Sequence, residues 1–231
     1  MEQAIGTLLV VATPIGNLED ITLRGLRVLR EADVIACEDT RTTKKLLAHY
    51  QIDTPTISFH AHSGAMKVDK ILELLEDGKH VALVTDAGTP AISDPGALLV
   101  AQVRERLPYV RIEAIPGASA VTAALSVSGI SGSDFVFLGF LPHKKGRETL
   151  FREIAESERT TVLYESPHRI QKTLESLVLH CPERMVVLAR ELTKLHETIL
   201  SGTPEELRHA LTEDPHQQKG EFVVLIAPAG Q

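Results

Sequence analysis

Residues 80–105 read HVALVTDAGTPAISDPGALLVAQVRE, and this stretch indicates the fold class. Residues 80–85 form an apolar, β-branched run typical of a buried strand, and residues 97–105 are expected to form a helix. Between them runs a loop, residues 85–96, that is rich in glycine, proline and small side chains and longer than a plain strand-to-helix turn. Ligands of α/β sheets bind at the carboxyl ends of strands. The stretch therefore predicts a strand–loop–helix unit whose loop contacts a ligand.

The same alternation of strands and helices extends through the first half of the chain. Predicted strands cover 8–13, 34–38, 56–59, 80–85 and 111–115, and predicted helices cover 21–31, 42–50, 67–76, 97–105 and a segment opened by Gly117. Such alternation predicts a largely parallel sheet covered on both faces.

The second half of the chain begins with a change in composition. Residues 128–133 read SGISGS, which is typical of a linker, so we predict two α/β domains with mostly parallel sheets, 1–127 and 128–231. Predicted strands of the second domain cover 135–140, 161–164, 185–189, 198–200 and 222–227, and predicted helices cover 147–156, 169–179 and 204–211. Thr203, Pro204 and Glu206 predict a capping box at the start of the last helix.

Composition limits the classes of function. The 24 Lys and Arg against 31 Asp and Glu give a net charge of −7, which excludes a uniformly basic nucleic-acid coat but leaves local basic patches possible. With six Phe, three Tyr and no Trp, the chain supplies few rings for a base-stacking platform. Apolar runs are too short to cross a bilayer and residues 1–12 lack a signal-peptide pattern, so we expect a cytoplasmic protein that does not bind membranes.

Three loops are the main candidates for ligand binding: residues 13–20, 85–96 and 116–120. Each follows a predicted strand, and glycine in such loops lets the backbone approach a ligand closely. His60 and His62 are a possible metal pair, but no third ligand is evident nearby, and we expect no metal. Three small-residue loops at one edge of a sheet predict a ligand bound mainly by backbone atoms.

Six short strings, in order along nearly the whole chain, resemble a known family. They are TPIGNL at 13–18, EDTR at 38–41, DAGTP at 86–90 with DPG at 94–96, PGASA at 116–120, YESPHR at 164–169 and ARELTK at 189–194. These strings resemble the bacterial ribosomal RNA small-subunit methyltransferase I family, the RNA-modifying branch of the tetrapyrrole methylase (class III) superfamily.

The resemblance implies an S-adenosylmethionine-dependent enzyme that methylates the ribose 2′-hydroxyl of a decoding-centre cytidine in 16S ribosomal RNA, within the assembled small subunit. It also implies a homodimer of two-domain chains, with the cofactor in the cleft between the domains. Carried over by position, the implied cofactor-binding residues are Pro14, Ala87, Gly88, Thr89, Ile92, Ser119, Ala120, Glu165 and Leu192.

Two further sets of residues are candidates for catalysis and RNA binding. A ribose hydroxyl must lose its proton during or after attack on the methyl group, so a nearby base or cation is useful. The catalytic candidates are Glu38, Asp39, Glu165 and Lys194, and the sequence does not decide between them. The candidate phosphate contacts are Arg41, Lys44, Lys45, Lys144, Lys145 and Arg147.

Two alternative functions remain open at this point. One is a methyltransferase that makes corrin or sirohaem precursors. In that branch of the superfamily the loop corresponding to residues 85–96 typically reads Gly-Asp-Pro, whereas this chain has Gly88-Thr89-Pro90, and the missing aspartate argues against a tetrapyrrole substrate. The other is an RNA- or ribosome-binding module without catalytic activity.

Overall fold

The structure is a computed structural model that describes residues 5–60 and 65–230. Its contacts divide the chain into two compact units, with the division between Ser119 and Ala120. The sequence places this boundary later, at 127/128. The difference arises because the helix over Ala120–Ser128 packs against strands of the second unit and therefore belongs to it.

The first unit is a five-stranded parallel sheet flanked by helices, as the alternation predicts. Its strands are β1 (Thr7–Val11), β2 (Val34–Cys37), β3 (Thr56–Ser58), β4 (His80–Val84) and β5 (Arg111–Ile115). Its helices are α1 (Leu23–Glu31), α2 (Thr40–His49), α3 (Ala65–Glu76) and α4 (Gly96–Arg106). Successive residues of β4 belong to two different apolar clusters. Val81 and Leu83 belong to one cluster, and Ala82 and Val84 belong to the other, so both faces of the sheet are buried.

The strand order in the first sheet brings three connections together. The order is β3-β2-β4-β1-β5, and each neighbouring pair is parallel. Strand β1 lies between β4 and β5, so the carboxyl ends of these three strands are adjacent. The three predicted ligand loops are the segments that leave those ends.

The second unit contains a mixed sheet. Its elements are α5 (Ala120–Ser128), β6 (Phe135–Phe140), α6 (Arg147–Glu156), β7 (Thr160–Glu165), α7 (Ile170–His180), β8 (Val186–Arg190), β9 (Thr198–Gly202), α8 (Pro204–Glu213) and β10 (Phe222–Ile226). The sheet order is β6-β7-β10-β8-β9, and β6 with β7 is its parallel pair. The pairings of β10 with β7, β10 with β8 and β8 with β9 are antiparallel.

Five of the eight pairings between the described strands are parallel, which confirms the predicted class over the two sheets together. The second sheet departs from the prediction because residues 191–197 alone connect β8 to β9, and so short a connection favours an antiparallel pair. Strands β7 and β8 both run antiparallel to β10, so they run in the same direction as β6. The segments that follow β6, β7 and β8 therefore share one edge.

Helices cover the second sheet unequally. Side chains of α6, α7 and α8 form one apolar cluster with residues of β7, β8 and β10, whereas α5 contributes none to it and instead contacts β8, β9 and β10. We infer that α5 packs on the opposite face. In the described ranges, no helix combines the length and the apolar character that crossing a bilayer requires.

The predicted capping box at the start of α8 is confirmed and can be tested by its contribution to stability. The Thr203 side chain accepts from the Glu206 N–H, and the Glu206 side chain accepts from the Thr203 N–H. We expect Thr203→Ala to lower the free energy of unfolding by about 1 kcal/mol, because the Glu206 N–H of the first turn loses its partner. Urea unfolding measures the effect. Thr203→Ser keeps the hydroxyl and serves as the control; an alanine variant as stable as the serine variant would contradict the assignment.

Candidate functional site

Two loops at the carboxyl edge of the first sheet are joined by an isolated backbone bridge. The Thr13 N–H donates to the Gly88 carbonyl at 2.9 Å, and the Gly88 N–H donates to the Thr13 carbonyl at 3.1 Å. The buried Thr13 hydroxyl also donates to the Thr85 carbonyl at 3.1 Å. The loops after β1 and β4 therefore form one continuous backbone surface.

The third loop, after β5, is attached to the same surface. The Ala12 N–H donates to the Ile115 carbonyl at 3.1 Å, and the Thr89 hydroxyl donates to the Ala118 carbonyl at 3.1 Å. A Cβ atom at Gly117 would lie 2.9 Å from the Cβ of Ala12, closer than side chains tolerate, so this approach requires glycine. The prediction that the three loops lie side by side is confirmed.

The loop after β4 holds an unfavourable backbone conformation. Gly88 has φ +84°, and the non-glycine residues Ala91 and Ser93 have φ 74° and 65°, in the left-handed region. Asp94 stabilises this arrangement, because its Oδ1 accepts from the Ala91 N–H at 2.9 Å and from the Gly96 N–H at 2.7 Å. Backbone strain that surrounding contacts maintain is typical of ligand-binding loops.

Most of the implied cofactor-binding residues lie on these joined loops. Gly88 is buried, whereas Ala87 and Ile92 are exposed to solvent. Half-buried positions are Pro14, Thr89, Ser119 and Ala120, the last being the first residue of α5. The remaining two, Glu165 and Leu192, lie in the second unit, at the end of β7 and just after β8. The carried-over positions on the first-unit loops thus bear small or apolar side chains, whereas Asn17, Glu19, Asp20 and Asp86 are exposed polar residues of the same loops.

Glu38 follows β2 at the same edge, in an acidic environment. Its Oε2 accepts from the Thr85 hydroxyl at 3.3 Å. Burial, with Asp86 and Asp94 nearby, raises the pKa of Glu38 above its ordinary value, and burial likewise raises the pKa of Asp86. A carboxylate with a raised pKa is a better proton acceptor than an ordinary one.

Asp39 differs from its neighbour. Its carboxylate accepts from the Arg41 side chain, with Nη2 to Oδ2 at 2.6 Å, and from the Arg41 N–H at 2.8 Å. These hydrogen bonds lower the pKa of Asp39 to about 2. Asp39 is the N-cap of α2, which is a structural role. Its lowered pKa makes it a weak base.

Glu165 and Arg147 belong to a buried polar network in the second unit. The Arg147 Nη2 donates to the Thr173 hydroxyl at 2.9 Å, and that hydroxyl donates to Glu165 Oε2 at 2.6 Å. Glu165 Oε1 accepts from the Ser166 N–H at 2.8 Å and lies 3.3 Å from Arg169 Nε. Burial, with Arg169 nearby, lowers the pKa of Arg147.

This network bears on two expectations. Glu165 is buried and has both carboxylate oxygens engaged by other groups, which argues against its side chain as a catalytic base; Glu165 as a cofactor contact stays a prediction. Arg147 is buried too, with its guanidinium 4.9 Å from the Phe151 ring centroid, so we withdraw it from the RNA surface. In the sequence both look like charged residues beside a loop; their burial follows from packing of α6 and α7 on the sheet.

Lys194 is also engaged. Its Nζ lies 2.8 Å from Glu191 Oε1 and 2.8 Å from Glu221 Oε2. Although burial lowers the pKa of Lys194, these two carboxylates outweigh that effect and raise it. Two carboxylates already neutralise the Lys194 ammonium, so it is less able to lower the pKa of a ribose hydroxyl.

The other predicted phosphate contacts are on the surface. Lys44, Lys45, Lys144 and Lys145 are exposed. The Arg41 side chain is 88 % exposed despite its ion pair with Asp39. Arg41 lies in the first turn of α2, where the helix dipole disfavours positive charge, and Lys44 and Lys45 lie in its second turn.

Sequence reasoning did not select Thr85, Asp86 or Asp94 as site residues. The available signal was their position at the start and end of the loop after β4: Asp86 and Asp94 open the DAGTP and DPG strings, and Thr85 immediately precedes the first of these. Among the described residues, no group of three His, Cys, Asp or Glu side chains is arranged to hold a metal ion. His62 lies outside the described residues.

Comparisons with known proteins agree with this arrangement. Residues 7–208 match the family model for tetrapyrrole (corrin/porphyrin) methylases. A relative from Neisseria meningitidis serogroup B, named ribosomal RNA small subunit methyltransferase I, is 51 % identical over 97 % of this chain and 77 % of its own length. A relative of the same name from Haemophilus influenzae is 47 % identical over 98 % of this chain and 80 % of its own length.

A solved structure shares the fold at lower identity. The uroporphyrin-III C-methyltransferase from Thermus thermophilus, complexed with S-adenosyl homocysteine, has a TM-score of 0.66 and 18 % identity, covering 95 % of this chain and 97 % of its own. The family model matches most of the chain, and the sequence is about half identical to the two named relatives. This chain belongs to the tetrapyrrole methylase family and, within it, to the ribosomal RNA small subunit methyltransferase I group.

Proposed function

We propose that this protein is an S-adenosylmethionine-dependent ribosomal RNA methyltransferase, with the 2′-hydroxyl of a decoding-centre cytidine in 16S RNA as its acceptor. The observation that carries the proposal is the strained, backbone-lined surface formed by the loops after β1, β4 and β5. The names of the relatives support ribosomal RNA as the substrate, and the resemblance of the short strings supports the specific hydroxyl.

The residues of this surface fit the proposed cofactor. S-adenosylmethionine carries no phosphate, so it needs neither a lysine clamp nor a phosphate loop; its adenine, ribose and amino-acid groups suit backbone N–H and carbonyl partners. The positions proposed to contact it carry small or apolar side chains and are exposed or half-buried: Pro14, Ala87, Thr89, Ile92 and Ser119. When bound, the cofactor supplies an electrophilic methyl group on a sulfonium.

Ala120 and Leu192 remain predicted contacts to the cofactor. Both are positions carried over from the resemblance, and Leu192 is buried in the second unit.

Glu38 is the proposed proton acceptor. Of the four candidates, Asp39 is bound to Arg41, Glu165 is buried with both oxygens engaged, and Lys194 lies between two carboxylates. Glu38 has the Thr85 hydroxyl as a partner and a raised pKa. Glu38 would accept the proton that the ribose hydroxyl loses on methylation and pass it to solvent.

The proposed RNA contacts are Arg41 and four exposed lysines: Lys44, Lys45, Lys144 and Lys145. A homodimer presents each of these patches twice, which helps an acidic chain hold a large RNA particle. Ribosomal RNA as substrate places the proposed activity in the cytoplasm.

Transfer of labelled methyl groups tests the proposal. The protein is incubated with labelled S-adenosylmethionine and either small ribosomal subunits or free 16S RNA, and the label is then mapped. We expect label on one cytidine ribose. Heat of cofactor binding with label only on a tetrapyrrole precursor would support the alternative enzyme, and absence of any heat would support a non-enzymatic module.

The cofactor surface can be blocked at an exposed position. We expect Ala87→Leu to weaken S-adenosylmethionine binding at least roughly tenfold, because the added side chain covers the backbone that a buried ligand must approach. Isothermal titration calorimetry measures the affinity. Ala97→Leu, at an exposed position of α4, is the matched control. Unchanged affinity in a folded Ala87→Leu protein would remove this loop from the cofactor site.

The role of Glu38 has a specific pH signature. We expect Glu38→Gln to reduce kcat roughly 10²- to 10⁴-fold with little change in cofactor affinity. Wild-type activity should fall as the pH drops through the raised pKa of Glu38, because only the carboxylate accepts a proton. This acid limb should be absent from the residual activity of the variant. Glu73→Gln, at an exposed position of α3, is the control; an unchanged acid limb in Glu38→Gln assigns the base elsewhere.

The proposed RNA contacts of Lys44 and Lys45, on α2, are tested by charge reversal. We expect Lys44→Glu with Lys45→Glu to weaken binding to the small subunit and to reduce its salt dependence, without altering cofactor affinity. Lys70→Glu with Arg104→Glu changes the net charge equally at exposed positions of α3 and α4. Filter binding over a salt series compares the two. Equal loss in both double variants would show a general charge effect and no specific contact.

A further inference from the structure

Four of the nine aromatic residues lie on the paired strands β6 and β7: Phe135, Phe137, Phe140 and Tyr164. The register between these strands shifts between Phe137 and Gly139, so that Phe137 pairs with Val162 and Phe140 pairs with Tyr164. In an unbroken strand, residues 137 and 140 would point to opposite faces. The bulge turns both toward the face that carries Tyr164.

The ring contacts agree with this assignment. The Phe137 and Tyr164 ring centroids are 4.9 Å apart with an interplanar angle of 69°, and those of Phe140 and Tyr164 are 5.5 Å apart at 58°. Phe135, two residues before Phe137, shares its face. Leu163 lies on the opposite face, inside the apolar cluster formed with α6, α7 and α8. The rings therefore lie outside that cluster.

The ends of this aromatic strip are open to solvent. Phe140 is 57 % exposed and Phe135 is 37 % exposed. Strand β6 is an edge strand, and exposed apolar rings on an edge strand favour unwanted association unless they serve a ligand. Tyr164 and Phe137 contact each other edge-on, which holds the strip in a defined orientation.

Basic side chains follow the two strands at the end of the strip that carries Phe140. The loop that follows Phe140 contains exposed His143, Lys144 and Lys145. The segment after the parallel strand β7 adds exposed His168 and Lys172. The two segments are in direct contact, because Arg169 Nη2 donates to the Leu141 carbonyl at 2.5 Å.

We propose that this face of β6 and β7 is a stacking platform for unpaired nucleotides of single-stranded RNA. Phe140 stacks against a base, and Lys144, Lys145 and Lys172 contact the adjacent phosphates. An A-form duplex buries the faces of its bases, so an exposed ring can stack only on an unpaired one. The inference rests on the proposed RNA substrate and deepens it by stating the form in which the RNA is held.

A single tryptophan reports on the platform. The chain has no Trp, so Phe140→Trp introduces one fluorophore at the exposed end of the strip. We expect a short unstructured oligocytidylate to quench its emission, and an RNA duplex of the same length to leave it nearly unchanged. Quenching by both RNAs alike, or by neither, overturns the platform.

Affinity and salt dependence separate stacking from charge. We expect Phe140→Ala to weaken binding of the oligocytidylate roughly 5- to 150-fold with an unchanged salt slope. Lys144→Gln with Lys145→Gln should instead reduce the magnitude of the salt slope by about 0.7 per lysine. Phe140→Tyr retains the ring and should bind like the wild type. Leu179→Ala, which removes a 73 % exposed apolar side chain from α7, is the control.

Two outcomes contradict the platform while leaving the enzyme proposal intact. In one, Phe140→Ala binds the oligocytidylate as well as the wild type does. In the other, sedimentation shows that Phe140→Ala only dissociates a dimer, which makes this face an interface between copies of the chain. Conversely, Phe140-dependent RNA binding by a protein that neither binds S-adenosylmethionine nor transfers label would support the platform and overturn the proposed methyltransferase.

Discussion

The backbone bridge between Thr13 and Gly88 is the contact on which the candidate site depends. Its two hydrogen bonds contribute about 0.5–1.5 kcal/mol each, whereas the left-handed conformations of Ala91 and Ser93 cost about 1–2 kcal/mol each. The free energy gained from the bridge and the free energy cost of the left-handed residues are therefore similar in size. The two hydrogen bonds that the Asp94 carboxylate accepts add further stabilisation to the observed loop. The bridge is possible only because β1 lies beside β4 in the sheet.

Three carboxylates near strand ends show how environment separates residues of similar chemistry. Glu38 is partly desolvated among other acids, and its pKa is raised; Asp39 is bound by Arg41, and its pKa is lowered to about 2. The Glu165 carboxylate accepts hydrogen bonds from the Thr173 hydroxyl and the Ser166 N–H and forms an ion pair with Arg169. The pKa of a carboxyl group follows from burial, neighbouring charge and hydrogen bonding, so these similar side chains have different capacities.

Much of the first unit could be predicted from local sequence, and less of the second. The alternation of strands and helices predicts a parallel sheet, because each crossover helix returns the chain to the same end. The alternation of strands and helices continues after residue 128, yet β10 lies between β7 and β8 and runs antiparallel to both. Strand pairing between distant segments depends on which apolar faces fit together, and periodicity within one strand carries no information about its partner.

The sequence by itself determined the α/β class, the three small-residue loops after β1, β4 and β5, the Thr203 cap and the family, because caps, periodicity and short strings are local. Only the tertiary structure decided that Glu165 and Arg147 are buried, since their neighbour Thr173 comes from α7. It also decided that scarce aromatic residues gather on one face, through a bulge that reverses the facing of Phe140. Burial and facing are set by contacts between segments far apart in the chain, and free energy from such contacts exceeds local preference.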